Sequence, residues 1–146
     1  MSYTCLRFHI VFSTKERRRW VAPDMLPRLI DYVAGMIKTL HGQAIEINGP
    51  EDHLHILTAL PPALALADAM RDIKANSSNW IHEAFPELRG FAWQDGYAGF
   101  SVSRSGVDAV AAYIRNQQEH HKKMTFEEEL KLLLEKHGIP YDPKYL

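Results

Sequence analysis

The chain has 146 residues, 17 Lys plus Arg against 18 Asp plus Glu, a formal net charge of −1 and 46% hydrophobic content. That length suits one domain with a full core, and the balanced charge excludes a global positive field, so any nucleic-acid surface must be local. The single cysteine, Cys5, excludes an internal disulfide and reads as a small buried strand residue. No stretch approaches the ~18 apolar residues of a membrane helix, and the first twenty residues hold no signal-peptide apolar region. The expectation is a single cytoplasmic domain over 1–146.

Residues 3–13 alternate Leu6, Phe8, Ile10 and Phe12 with Arg7 and His9, the period of a half-buried strand. The charged run that follows must leave the sheet. From Pro23 to about Leu40, Leu26, Leu29, Ile30, Val33, Ile37 and Leu40 recur at helical spacing, closed by His41 and Gly42. Residues 43–48 and 53–60 read as two strands of an antiparallel hairpin, joined by Gly49, Pro50, Glu51 and Asp52. Pro61 and Pro62 stop the second strand, and 64–85 reads as the second helix. Residues 97–103 give a fourth strand, 107–121 a third long helix, and 125–136 a last helix opened by a capping-box pattern and closed by Gly138 and Pro140. The order β-α-β-β-α-β plus two helices predicts an α+β fold. It is a ferredoxin-like (RRM-like) antiparallel sheet with additional C-terminal helices, the first and third strands adjacent at its centre. Enzymes, RNA binders and regulatory modules share this architecture, so it names no function.

Alternate residues of a strand share a face, so His53 and His55 stand about 6 to 7 Å apart on one side while Leu54 points to the other. Two imidazoles so placed can converge on one metal ion, although so short a spacing also arises on a solvated strand. On the third helix Tyr113 and Gln117 occupy one face, about 5 to 6 Å apart at Cβ. Taken alone they read as a core tyrosine and a surface filler. His9, on the neighbouring strand, reads as a structural histidine. Glu127, Glu128 and Glu129 read as a solvated acidic edge without chemistry.

Together, a His-hydrophobic-His pair on a central strand and Tyr-x-x-x-Gln on a later helix resemble the single-tyrosine HUH transposases of the smallest insertion sequences. The resemblance continues through HIVFSTKERR, WQDGYAGFSVS and YIRNQQEHHKKMTFEEEL and covers almost the whole chain. It implies a metal-dependent single-strand DNA transposase that cleaves and rejoins DNA at hairpin-marked element ends through a covalent 5′-phosphotyrosine. In that family's pattern Tyr113 is the nucleophile, and His53, His55 and Gln117 hold a divalent metal, Mg²⁺ or Mn²⁺. Such a ligand set lacks the carboxylates Mg²⁺ prefers and suits Mn²⁺, Co²⁺ or Zn²⁺ at least as well. No phosphate-cradling Gly-rich motif is present, in keeping with a strand transfer that needs no nucleotide cofactor. The resemblance also implies a homodimer whose tyrosine helix can complete the partner's site, and Gly106, ahead of the third helix, can act as the hinge that such an exchange needs.

Candidate DNA contacts are the basic residues Lys15, Arg17, Arg18 and Arg19 after the first strand, and Arg104, Arg115, His120, His121, Lys122 and Lys123 around the tyrosine helix. Trp20 and Trp93 are candidate stacking surfaces. Two other readings stay open. One is a non-catalytic, domesticated module that binds structured nucleic acid. The other is a metal phosphoesterase using water as nucleophile, although the two-histidine phosphoesterases of similar size carry a duplicated His-x-Thr-type motif and this chain has one His-x-His.

Overall fold

The alternation in the first strand divides the molecule into two layers, as a computed structural model describing residues 1–146 shows. In β1 (Arg7–Ser13), Ile10 and Phe12 face one side while His9 and Val11 face the other. The sheet has the order β2-β3-β1-β4, with β2 spanning Gln43–Asn48, β3 His53–Ala59 and β4 Ala98–Ser101, and every pairing is antiparallel. The first and third strands are therefore central, as the element order predicts.

Helices α1 (Leu26–Thr39) and α2 (Leu66–Ala84) cover the first face. Leu29, Val33, Ile37, Met70, Ile73 and Ile81 join Ile10, Phe12, Leu54 and Ile56 there in one buried cluster. The C-terminal helices cover the second face. Helix α3 (Val107–Arg115) seats Val107, Ala111 and Ile114 on Leu57, and α5 (Phe126–Lys136) packs Phe126, Leu133 and Leu134 against Val11 and Phe100. Strand β3 is thus buried on both faces, and whatever its polar residues do is done out of water.

The helix predicted over 107–121 is broken. Asn116 leaves the helical conformation at φ −95°, ψ 19°, and a short α4 (Gln117–His120) follows. The break frees carbonyl groups that need partners. Asn48, at the end of β2, provides them: its amide nitrogen donates to the carbonyls of Ile114 at 3.0 Å and Arg115 at 3.1 Å. Helix α5 starts on the expected capping box, in which the Glu128 N–H donates to Thr125 Oγ1 at 3.2 Å and the Thr125 N–H to Glu128 Oε1 at 3.4 Å. The first strand is shorter than the predicted 3–13, so Cys5 lies before it and is exposed, not buried.

Candidate metal and tyrosine centre

The pleat of β3 brings His53 and His55 to the second face, both fully buried. The helix break and the turn after α4 bring Tyr113, Gln117, His120 and His121 over them, and α5 inserts Glu129 between the two layers. Glu129 Oε1 lies 3.1 Å from His53 Nε2, 3.0 Å from His55 Nε2 and 2.9 Å from His121 Nε2. Its other oxygen, Oε2, accepts hydrogen bonds from the Tyr113 hydroxyl and, at 3.0 Å, from Gln117 Nε2. His120 Nε2 stands 3.4 Å from the Tyr113 hydroxyl and 3.4 Å from Glu129 Oε2. The expectation that Glu129 belongs to a solvated acidic edge is therefore wrong. Its neighbours Glu127 and Glu128 do lie outward, whereas Glu129 is 1% exposed. Helical periodicity held the clue: Glu129 shares the inward stripe of Phe126 and Leu133.

Each histidine of the cluster has a second partner that orients it. His53 Nδ1 lies 2.7 Å from Asp52 Oδ1, and His121 Nδ1 lies 2.7 Å from the Met124 carbonyl oxygen. Both partners only accept, so Nδ1 carries a proton and leaves Nε2 as the nitrogen that can offer a lone pair to the centre. His55 Nδ1 lies 2.8 Å from His9 Nε2. Burial pushes His9 down to about 3 and His55 down to about 4, so both are neutral at ordinary pH. Burial opposes the charge on His53 as well, but its contacts with Asp52 and Glu129 outweigh that and raise it. Burial likewise opposes ionisation of Glu129, yet its histidine partners keep it ionised, well below the usual carboxylate range. Burial and the adjacent carboxylate hold the Tyr113 phenol above its ordinary range, a neutral hydrogen-bond donor.

Convergent lone pairs beside a buried carboxylate repel one another unless positive charge lies among them. The donor set therefore fits a divalent cation. Gln117 Oε1 supports the same fit, for it is buried without any hydrogen-bond partner. Of the residues predicted from sequence, His53, His55, Tyr113 and Gln117 come together here. His9, read as structural, joins them in contact with His55.

The centre lies between two clefts. One, of about 520 Å³, is lined by His9, Tyr113, His120, Glu129 and His137; the other, of about 600 Å³, by Arg19, Asp52, His121, Lys122 and Lys123. The predicted DNA contacts are dispersed around them. Lys15 and Arg104 are exposed, Arg17 pairs with Glu127 at 3.4 Å and caps Phe126, and Arg18 lies over Trp20. Lys122 pairs with Glu119 at 2.9 Å, and Arg115 points to Glu46 on the outer strand β2 at 2.9 Å. Trp93 is no stacking surface: it packs edge-on against Phe12 and donates to Ser77 Oγ at 2.9 Å inside the core. Trp20 is half-buried against Phe91.

The family model described as "Transposase IS200 like" matches residues 2–117. The chain is 23% identical over 119 residues to the ISDra2 transposase TnpA of Deinococcus radiodurans, covering 78% of this chain and 85% of that protein. It is 26% identical over 122 residues to the transposase for insertion sequence element IS200 of Salmonella typhimurium, covering 80% and 79%. Among solved structures, a Deinococcus radiodurans protein described as a candidate transposase superposes with a TM-score of 0.67 at 22% identity, covering 80% of this chain and 95% of that one. A REP-associated tyrosine transposase bound to a REP hairpin gives 0.62 at 15% identity, covering 83% and 74%. The family match takes in the histidine pair, the tyrosine and the glutamine that this centre brings together: the chain belongs to the IS200-like transposases, enzymes that cleave DNA and transfer its strands.

Proposed function

We propose that Tyr113 is the nucleophile with which this transposase cuts DNA, and that His53, His55 and Gln117 hold a divalent cation, Mg²⁺ or Mn²⁺, beside it. The observation that carries the reading is the meeting of Tyr113 and Gln117, from either side of a helix break, with both β3 histidines around one carboxylate. The Tyr113 oxygen bonds to the phosphorus of a single-stranded DNA phosphodiester while the bond from phosphorus to the 3′ oxygen breaks. A 5′-phosphotyrosine and a free 3′-OH result, the phenolic proton leaving by way of Glu129. Attack by another 3′-OH reverses the step and joins new strands, so no nucleotide cofactor enters.

An ordinary phenol of pKa about 10 is ionised only about one part in a thousand at pH 7, a shortfall of roughly 4 kcal/mol, and burial beside Glu129 holds Tyr113 above that range. A bound cation supplies Lewis-acid polarisation of the phosphate and positive charge that offsets this shortfall. The protein's own groups do the positioning: Asp52 and His9 aim the two histidines, and Glu129 holds the phenol against them.

The substrate is single-stranded DNA carrying hairpins at the element ends, a reading supported by the hairpin seen with the REP-associated relative. No helix of the chain is long and apolar enough to cross a membrane, and we place its work on cytoplasmic DNA. Within the single chain the Tyr113 ring stands 5.9 Å from that of His55, centroid to centroid. The homodimer implied by family resemblance is tested by analytical ultracentrifugation at micromolar concentration, where a monomer would count against it.

Intact-protein mass after incubation with single-stranded oligonucleotides from the gene's flanking DNA tests the chemistry. The expected result is a Mn²⁺-dependent mass increase equal to the 5′-linked fragment, absent with EDTA and in Tyr113→Phe. An adduct on Tyr113→Phe would refute the nucleophile. Cleavage without any adduct would favour water as nucleophile, and binding without cleavage would favour a non-catalytic module.

A further inference from the structure

The family match ends at Gln117, yet the centre does not. Two of its inward-facing donors, His121 and Glu129, come from the segment beyond that residue. We propose that His121 Nε2 and Glu129 Oε1 are further metal ligands, so that the C-terminal segment of this chain adds a third imidazole and a carboxylate to His53, His55 and Gln117 around a first-row divalent cation such as Mn²⁺. This inference rests on the reading that His53 and His55 hold a metal.

Three independent features support it. The first is distance: the four ligand atoms all lie within 4.8 Å of one another, with the three imidazole nitrogens 2.9 to 3.1 Å from Oε1. A cation with bonds of about 2.0 to 2.2 Å separates adjacent ligand atoms by about 3 Å and opposite ones by a little over 4 Å. The second is orientation. His121 is fixed as His53 and His55 are, by a partner on its far nitrogen, and a ligand histidine requires such a partner to set its tautomer. The third is charge. Glu129 is 1% exposed and its ionic partners are four histidines, with no Lys or Arg among them. A buried carboxylate without a permanent cation nearby needs positive charge from elsewhere, and a divalent ion among three lone pairs supplies it.

The ligand chemistry also names the class of metal. Three imidazoles and one carboxylate favour Mn²⁺, Fe²⁺, Co²⁺ or Zn²⁺ over Mg²⁺ and Ca²⁺, which favour all-oxygen shells. The centre would then join α5 to β3, making the C-terminal helix part of the metal-binding domain.

The test is X-ray absorption on the Mn²⁺-loaded full chain, together with Mn²⁺ titration calorimetry on His121→Ala, Glu129→Gln and His53→Ala. We expect three imidazoles per metal in the wild type and two in His121→Ala, with the Mn²⁺ dissociation constant raised at least tenfold in each variant. Two imidazoles in the wild type overturn the proposal outright, whether or not a variant folds. Affinity within twofold of wild type for both His121→Ala and Glu129→Gln, alongside lost binding in His53→Ala, overturns it while leaving the His53 and His55 reading intact. Unchanged affinity in His53→Ala as well removes both.

Discussion

His9 Nε2 lies 2.8 Å from His55 Nδ1 across the two central strands, and the rings stack with centroids 5.1 Å apart. The register explains the contact: Val11 is the direct partner of His55 and His9 sits one pleat away, within diagonal reach on the same face. Both rings are neutral, so one donates to the other, and the tautomer in which His55 Nδ1 donates to His9 Nε2 leaves the His55 Nε2 lone pair facing the centre.

His9→Phe should therefore weaken Mn²⁺ binding about 10- to 100-fold, the usual effect of removing an outer partner of a ligand histidine. The ring would still pack against Phe100 and Tyr113. His9→Gln, which keeps an acceptor, should recover part of the affinity. Titration calorimetry with Mn²⁺ measures both, and equal affinity for the two variants would separate His9 from the ligand set.

The same burial makes the metal-free protein sensitive to mild acid. His9 at about 3 and His55 at about 4 both sit below the ordinary 6.5, so between pH 6.5 and about 5 the unfolded chain takes up protons that the fold refuses. Stability must fall as pH falls in that window, by up to about 1.4 kcal/mol per pH unit for each ring. His53, raised above its ordinary value, is protonated in both states once the pH is well below 6.5 and adds little slope there. Asp52 and Glu129, held low, lose their contribution only under more acidic conditions. Urea denaturation in EDTA at pH 7, 6 and 5 should show the decline, and His9→Phe should make it shallower.

Much of this was legible in the residues. Alternation placed Ile10 and Phe12 opposite His9, and the spacing of His53 and His55 put both imidazoles on one face because strand geometry permits nothing else. Tyr113 and Gln117 meet as their separation implies, but across a break at Asn116 that α3 does not announce, since the carbonyls it frees are taken by Asn48, 66 and 67 residues away. Glu129 was obscured by its company: in a run of three glutamates, local composition says solvent, and only the stripe with Phe126 and Leu133 says interior. Basic composition likewise marked residues without saying which were already paired, as Arg115 and Lys122 are.

The hairpin between β2 and β3 should be intolerant at one position. A Cβ on Gly49 would stand 2.2 Å from the His53 carbonyl oxygen, a backbone atom that cannot yield without moving His53. Gly49→Ala is expected to destabilise the fold by about 1 to 3 kcal/mol and to weaken metal binding with it. Gly35, exposed within α1 with nothing within 4 Å of its Cβ position, is the control. Gly35→Ala should stabilise by about 0.5 to 1 kcal/mol through helix propensity and leave metal binding unchanged. Thermal melts and Mn²⁺ titrations of the pair decide it.

The cleft on the histidine side gives the last prediction, because it separates cations free to meet DNA from cations already engaged. Arg19 and Lys123 line it and are exposed, whereas Arg115 is committed to Glu46 on the outer strand. If hairpin DNA enters by this cleft, each lost phosphate contact lowers the slope of log affinity against log salt by about 0.9. The double change Arg19→Ala with Lys123→Ala should lower that slope by about 1.8 and weaken binding at low salt, without altering sequence preference. Arg115→Ala should leave the slope within error of wild type. Fluorescence anisotropy with a labelled hairpin across 50 to 300 mM salt reads both; an unchanged slope in the double variant would move the DNA path to the cleft beside Tyr113.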